Sequence, residues 1–184
     1  MKIQETKLKG CFIIEPRIFE DERGYFFESY NFNTLKEATG IDLIFYQDNQ
    51  AKSKYGVVRG LHLQRNPAMQ TKLVRALEGA ILDVAVDVRK DSPTYGEYIA
   101  VELSAENKKQ LYVPHGFAHG YSVLSEEAVV AYKCDDFYNK DSEEGIYLFD
   151  NDLNIDWQIP AEKAIVSEKD QNQKPFKAFE PIVL

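Results

Sequence analysis

Short apolar stretches, separated by Gly, Pro, Asn and Asp at intervals of about ten residues, run through most of this sequence. This spacing predicts many short strands and therefore an all-β sandwich or barrel. The chain also holds eleven Phe and eleven Tyr, and aromatic residues are enriched in strands. The candidate strands are Cys11–Glu15, Tyr25–Tyr30, Leu43–Ala51, Val57–Gln64, Lys72–Leu77, Ala80–Val88, Tyr98–Leu103, Gln110–Val113, Ala118–Val123 and Val129–Cys134.

The run Ile81–Val88 is the clearest of these strands. Because successive side chains of a strand point to opposite faces, one face of this run is entirely apolar, with Leu82, Val84, Val86 and Val88. The pattern indicates a central strand with one firmly buried face.

Little helix is expected. Asn33 can cap a short peripheral helix over residues 34–38, and Gly40 stands where a left-handed residue commonly follows a helix end. The polar regions around Asn107 and over residues 141–156 are expected to be loops, and the last twenty residues to hold a short helix and a tail.

Size and charge limit the possible functions. A chain of 184 residues with 44% apolar and 28% charged residues is predicted to fold as one globular domain over residues 1–184. A formal net charge of −8 argues against non-specific nucleic-acid binding, which calls for a clustered excess of Lys and Arg. A small phosphorylated ligand is still compatible, since a pocket can be basic on an acidic protein.

No export signal or membrane segment is expected. The apolar stretch Cys11–Ile14 is too short for the core of a signal peptide, and no later run approaches membrane-spanning length. Two cysteines, Cys11 and Cys134, are expected to be free thiols in a reducing cytoplasm.

The three histidines lie in two segments, one around His62 and one containing His115 and His119. If both segments meet in a barrel, their imidazoles share a cavity. On a strand His62 and Gln64 face the same side, and a buried polar pair needs partners because an unsatisfied polar group costs about 1–3 kcal/mol.

A metal site is the alternative use of three histidines. The i, i+4 spacing of His115 and His119 is that of helical zinc ligands, but the surrounding Pro114, Gly116 and Gly120 disfavour a helix. Gln64 stands two residues after His62, where a metal-binding barrel typically has a second histidine. These features weaken the metal hypothesis.

Seven sequence blocks, in order and in register over about residues 10–175, resemble the signature blocks of the dTDP-4-dehydrorhamnose 3,5-epimerases. Seven in register are far more specific than one. They are Asp21–Glu28, Gln47–Asn49, Arg59–His62, Lys72–Arg75, Gly116–Gly120, Tyr132–Lys133 and Ser167–Asp170.

The resemblance implies a double-stranded β-helix, the jelly roll of the cupin group, with short peripheral helices. It also implies a homodimer with shared active sites, no metal and no cofactor. The implied substrate is a dTDP-linked 4-keto-6-deoxy hexose, and the reaction is epimerisation at C3 and C5 through an enolate.

The same resemblance assigns the catalytic roles. His62 matches the base and Asp170 its partner carboxylate, and imidazole in general titrates near neutral pH. Tyr132 matches the acid on the opposite face of the sugar ring. Lys72 matches the cation at the ketone oxygen, with His119 close by. On residues alone, Asp170 would be a solvated loop carboxylate and Tyr132 an ordinary strand aromatic.

The resemblance also assigns binding positions. Phe26 and Tyr138 match the aromatic pair around the base of the nucleotide. Arg23 and Phe26 are expected to serve the neighbouring subunit. The remaining positions grip the diphosphate or line the nucleotide end, and they are Arg23, Arg59, Lys169, Gln47, Asn49 and Glu28.

One stretch departs from the family pattern. After Gly145 the family usually has a tryptophan and an asparagine before an aspartate, whereas this chain has Leu148 and Phe149 before Asp150. We expect this departure at the edge of the pocket, where it puts the exact sugar or nucleotide in doubt. A single-centre epimerase or ketoisomerase, and a metal-dependent cupin or sugar-binding module, are the alternatives to a two-centre epimerase.

Overall fold

The computed structural model of the chain describes residues 1–184, apart from the side chain of Ala161. Antiparallel strands dominate it, with two short α-helices, as the predicted all-β jelly roll requires. The strands are β1 (Lys2–Glu5), β2 (Phe12–Glu15), β3 (Ile18–Asp21), β4 (Gly24–Phe27), β5 (Gln47–Lys54), β6 (Val58–Gln64), β7 (Lys72–Glu78), β8 (Ala80–Asp87), β9 (Tyr98–Ser104), β10 (Gln110–Val113), β11 (Phe117–Val123), β12 (Glu127–Cys134) and β13 (Glu143–Gly145), and the helices are α1 (Phe32–Thr39) and α2 (Glu168–Gln171).

Two large sheets form the barrel. The six-stranded sheet has the order β1-β2-β10-β7-β12-β5, and the five-stranded sheet has the order β13-β6-β11-β8-β9. The hairpin of β3 and β4 pairs only with itself. Strands distant in sequence are therefore neighbours, which is what brings the separated sequence blocks together.

The space between the sheets is filled by alternate side chains of both. Val74 and Val130 come from the six-stranded sheet, and Ile81, Ala85 and Tyr121 come from the five-stranded sheet. This core occupies one part of the barrel interior, so the polar residues that share these inward faces are left at its mouth.

Strand β8 is a central strand with a firmly buried face, as predicted, and its opposite face is buried as well. Ile81 and Ala85 lie inside the barrel, while Val84 and Val86 lie under the C-terminal segment. That segment places Leu148, Leu153, Trp157, Phe179 and Ile182 on the outer face of the five-stranded sheet. A strand covered on both sides also buries its charged residues, here Asp83 and Asp87.

The predicted helix is present as α1, but its cap is Asn31 and not Asn33. The Asn31 side chain accepts a hydrogen bond from the Thr34 backbone N–H at 3.1 Å, and Gly40 ends the helix with a φ of 75°, as predicted. Two asparagines two residues apart give the same sequence signal, and the backbone geometry of Asn31 decides between them.

All ten predicted strands correspond to observed ones; Gln110–Val113 matches β10 at both ends, and the other nine have one or both ends shifted. The largest shift is in β5, which starts at Gln47, because Leu43 and Phe45 pack on the outer face of the six-stranded sheet instead of pairing in it. Three short strands, β1, β3 and β13, were not predicted. Strand β13 lies within residues 141–156, so the expectation of a loop there is wrong at Glu143–Gly145.

No helix among the described residues is long and apolar enough to cross a membrane. Cys11 and Cys134 are buried and free.

Candidate active site

Two of the three histidines meet across neighbouring strands. His62 of β6 and His119 of β11 are register partners in the five-stranded sheet. The close approach of these strands needs two glycines, because a Cβ on Gly60 would lie 2.6 Å from the Cα of Gly120. The expected meeting of the two histidine segments is therefore present.

Asp170 contacts His62 from outside the sheet. Its Oδ1 lies 2.6 Å from His62 Nε2, and its Oδ2 accepts from the Gly60 backbone N–H at 3.4 Å. Helix α2 holds it there, because Ser167 caps the helix by accepting from the Asp170 backbone N–H. With Nε2 occupied by the carboxylate, Nδ1 is the nitrogen of His62 that can accept a proton.

Burial by itself would raise the pKa of Asp170. The hydrogen bond and the charge of His62, together with the Gly60 and Ser167 contacts, outweigh burial and lower that pKa below its ordinary value. Asp170 is only 3% exposed and is not the solvated loop carboxylate that its polar neighbours suggested. It is therefore an anion held directly against the His62 ring.

Tyr132 and Lys72 come from the facing sheet. Tyr132 lies on β12 and Lys72 on β7, and the Lys72 Nζ is 5.9 Å from the centre of the Tyr132 ring. Both side chains point inward, since Val74 and Val130, two residues from each, belong to the core between the sheets. An imidazole on one sheet thus faces a phenol and an amine on the other.

These side chains line one cavity of about 530 Å³, a size that suits a small-molecule ligand. Residues from both sheets and from the α2 segment form its wall. They include Arg59, His62, Lys72, His119, Tyr121, Tyr132, Lys169 and Asp170.

Burial changes the acidity of three groups in the cavity. It raises the pKa of Tyr132, so the phenol keeps its proton at neutral pH. Burial lowers the pKa of the Lys72 ammonium, against the charges of Cys134, Asp83 and Glu143. Burial also lowers the pKa of His119, an effect that Asp83 opposes and Lys72 strengthens.

A smaller recess of about 160 Å³ adjoins the cavity, and His62, Lys72 and Tyr132 line both. Gln47, Asn49 and Tyr138 are at this recess. The Gln47 side chain donates to Asn49 Oδ1 at 3.1 Å and accepts from the Tyr138 backbone N–H at 3.0 Å. The predicted polar positions and one predicted aromatic position therefore lie beside the candidate base and acid.

Glu143 is a residue of this recess that sequence reasoning missed. It accepts a hydrogen bond from the Tyr138 hydroxyl at 2.8 Å and lies 2.5 Å from the Lys169 Nζ. It therefore links the aromatic ring to the ammonium at the rim. The short strand β13 that carries it has no sequence pattern that could have indicated this position.

Asp83 was also missed, although a signal for it exists. It interrupts an apolar strand on the face that also carries Ile81 and Ala85, and an aspartate is almost never fully buried unless paired. In the structure it is fully buried and its Oδ1 lies 2.9 Å from His119 Nε2.

Arg23, Phe26 and Glu28 do not reach this site within the chain. Arg23 and Phe26 lie on the hairpin of β3 and β4, where Arg23 pairs with Asp21 and Phe26 is 70% exposed. Glu28 follows the hairpin and accepts from the Asn31 side chain at 3.1 Å. None of the three lines the cavity or the recess.

Gln64 and His115 have structural contacts. The Gln64 amide donates to the Ala68 carbonyl at 2.9 Å and accepts from the Asn139 N–H at 2.7 Å, so it has the partners that burial demands. His115 lies 2.8 Å from Asp135 and outside the cavity lining. Among the described residues, no three His, Cys, Asp or Glu side chains are grouped as a metal ion would require.

The departure after Gly145 does not shape the edge of the pocket, contrary to expectation. Leu148 is fully buried in the outer core of the five-stranded sheet, and Phe149 packs against that core. The Leu148 carbonyl accepts a hydrogen bond from the Trp157 indole at 2.7 Å. Neither residue lines the cavity or the recess, so the change alters core packing and not the contacts of a ligand.

The arrangement can move protons on both sides of a ligand. An imidazole backed by a carboxylate is a base, a buried phenol that keeps its proton is an acid, and a lysine ammonium beside the phenol can stabilise negative charge. These three functions together are what proton abstraction beside a ketone, with return from the opposite face, requires.

Comparisons with known proteins agree with this chemistry. The family model described as dTDP-4-dehydrorhamnose 3,5-epimerase matches residues 5–178. The dTDP-4-dehydrorhamnose 3,5-epimerase of Shigella flexneri is 49% identical over 176 residues, which cover 96% of this chain and 96% of that protein.

Solved structures are equally similar. The dTDP-4-dehydrorhamnose 3,5-epimerase from Elizabethkingia anophelis NUHP1 has a TM-score of 0.93 and 59% identity, covering 96% of this chain and 97% of that one. The dTDP-6-deoxy-D-glucose-3,5-epimerase from Legionella pneumophila Philadelphia 1, in complex with dTDP-4-keto-L-rhamnose, has a TM-score of 0.93 and 45% identity, covering 97% and 94%. With sequence and fold matched over nearly the whole of both chains, this protein belongs to the dTDP-4-dehydrorhamnose 3,5-epimerase family.

Proposed function

We propose that this protein epimerises C3 and C5 of dTDP-4-dehydro-6-deoxy-D-glucose to give dTDP-4-dehydro-L-rhamnose, a step of dTDP-L-rhamnose biosynthesis. The observation that carries the proposal is the placement of His62 and Tyr132 on facing sheets of one cavity. The family membership of nearly the whole chain supports it. The reaction transfers only protons, so it needs no redox cofactor.

In this mechanism His62 Nδ1 removes the hydrogen next to the C4 ketone. Asp170 stabilises the imidazolium that forms and keeps the ring in one orientation, as the aspartate of a catalytic triad does. The electrons move onto the ketone oxygen, where Lys72, with His119 close by, holds the developing charge. Tyr132 then donates its proton to the opposite face of the same carbon, which inverts the centre.

Both centres flank the same ketone, so one set of groups serves both inversions after the ring shifts in the cavity. Between inversions, His62 releases its proton to solvent and Tyr132 regains one from solvent. Inversion needs groups on both faces, whereas a pure binding module needs neither an acid nor a base.

The nucleotide end is assigned to the positively charged rim and the recess. Arg59 and Lys169 line the cavity and suit the diphosphate, because guanidinium and ammonium groups make charge-assisted hydrogen bonds to phosphate oxygens. Gln47, Asn49 and Tyr138 surround the recess and suit the base and sugar of the nucleoside.

Incubation with dTDP-4-dehydro-6-deoxy-D-glucose in heavy water tests the function. We expect deuterium at both C3 and C5, because each carbon loses its hydrogen to His62 and regains one from a solvent-exchanged phenol. NMR of the recovered sugar locates the label. Deuterium at one centre only would make the protein a single-centre epimerase, and no deuterium at either centre would reject this substrate.

We infer that the working form is a homodimer in which each hairpin of β3 and β4 completes the neighbouring site. Four large apolar residues of the hairpin are exposed in the single chain, which is typical of an interaction surface. They are Ile18, Phe19, Tyr25 and Phe26. Exchange of the hairpins would bring Arg23, Phe26 and Glu28 to a cavity that they do not reach within their own chain.

Mixing two inactive variants tests the shared site. Arg23→Ala loses the partner's contribution and His62→Ala loses the base, and a mixed dimer regains one intact site. After random exchange of subunits, about a quarter of wild-type activity should return, since half of the dimers are mixed and one of their two sites is complete. No recovery in dimers shown to be mixed would mean that each hairpin serves its own chain.

We further infer that residues 1–184 act as one domain in the cytoplasm. Strands from Lys2 to Gly145, apart from the hairpin of β3 and β4, share the two sheets, and the segment after Gly145 packs on the outer face of one of them. Free, buried Cys11 and Cys134 suit a reducing compartment.

A further inference from the structure

Asp83 is a fully buried carboxylate behind the cavity. It lies on β8, next to β11 in the five-stranded sheet. Its Oδ1 is 2.9 Å from His119 Nε2, while its Oδ2 is buried with no hydrogen-bond partner among the described residues. A carboxylate that only supported the fold would be expected to have both oxygens satisfied, since a buried charge is costly without partners.

Asp87, a second buried aspartate on the same face of β8, shows how a carboxylate with a structural role is satisfied. Asp87 accepts hydrogen bonds from Arg89, Ser92 and Thr94 at 2.6 to 3.0 Å. Both of its oxygens are satisfied, and a guanidinium neutralises its charge. Asp83 has neither feature, because its Oδ2 has no hydrogen-bond partner among the described residues and the ion-pair partner of its Oδ1 is the His119 ring.

The groups around Asp83 and Lys72 come from several strands. Asp83 raises the pKa of Lys72 and of His119, and both shifts oppose burial, which lowers the pKa of each. The charge of Asp83 also contributes to raising the pKa of Tyr121 and of Cys11. Cys134 and Glu143 act on the Lys72 pKa in the same direction as Asp83, and the titratable groups Tyr132 and His119 share the cavity with Lys72.

We propose that Asp83 is a positioning residue of the reaction: its carboxylate holds the His119 ring and the Lys72 ammonium together on the side of the cavity where the enolate oxygen forms. The proposal rests on the proposed function for the reaction that it serves. Asp83 itself does not touch the substrate, because it is buried behind His119.

Asp83→Asn tests this role, since it keeps the shape and removes the charge. We expect kcat to fall by about 10-fold to 100-fold, the usual cost of losing a group that orients a reacting one, with a smaller change in KM. When kcat is plotted against pH, its fall on the alkaline side (the alkaline limb) should move to lower pH, because Lys72 loses the anion that favours its charged form. Asp87→Asn is the matched control, and it should lower thermal stability and leave that limb in place.

A measurement without substrate separates this proposal from the proposed function. Nitrogen NMR of the histidine rings in the ligand-free protein should show His119 with its proton on Nε2, directed at Asp83. In Asp83→Asn this preference for Nε2 should be lost, whatever substrate the protein uses. An unchanged His119 tautomer, or a folded Asp83→Asn protein whose kcat and alkaline limb match the wild type within about twofold, would overturn the proposal.

Discussion

In the His62→Ala variant, deuterium incorporation at both C3 and C5 is expected to fall by about 10²-fold to 10⁴-fold, the usual contribution of a general base. The Asp170 carboxylate lies 2.6 Å from His62 Nε2, which leaves His62 Nδ1 to accept the proton. Asp170→Asn should give a similar loss, because the amide cannot stabilise the imidazolium. The measurement is the rate of label uptake by NMR, with circular dichroism to check the fold.

His115→Ala is the matched control for this experiment. His115 also lies close to an aspartate, Asp135, but outside the cavity lining. Its removal should leave label uptake unchanged. Full activity in either His62→Ala or Asp170→Asn would show that the base is another group.

The second large effect is expected at Lys72. In Lys72→Ala, kcat should fall by about 10²-fold to 10³-fold, the loss seen when a donor to a developing oxyanion is removed. KM should change less, because the charge that Lys72 holds is fully developed only in the transition state. The stability of the fold should change little in comparison, since burial already disfavours the Lys72 ammonium.

Lys133→Ala separates the effect of position from the effect of charge. Lys133 pairs in register with Leu73 on the same two strands but points outward, where it forms an exposed ion pair with Asp48. An exposed pair contributes little, so kcat should stay at the wild-type value. Equal losses of kcat in the two variants would contradict the role of Lys72.

The strands could be predicted because their patterns are long enough. Strand β8 was found from its alternation, yet its second buried face was missed. Whether that face is buried depends on which distant segment packs over it, and the strand's own sequence does not show this. Strand β13 has three residues and no pattern, although it lies beside His62. Local signals also could not choose between Asn31 and Asn33 as the helix cap.

The site was harder to predict from the sequence than the fold. Period-two alternation placed His62 and Gln64 on one face, but nothing local shows that β6 lies beside β11 or that Asp170 returns to His62 from 108 residues away. Those contacts came from the family resemblance. Asp83 and Glu143 belong to no quoted sequence block, and Glu143 becomes visible only when the strands around it are assembled.

The account depends most on Tyr132 and His62 acting from opposite faces of the sugar ring. Tyr132→Phe in heavy water tests this directly, because it removes only the hydroxyl. We expect His62 to go on removing and returning hydrogen on its own face, so that deuterium enters with retained configuration while inversion falls by about 10²-fold to 10⁴-fold. Inverted product formed at close to the wild-type rate would contradict the account, because the acid would then be a group other than Tyr132.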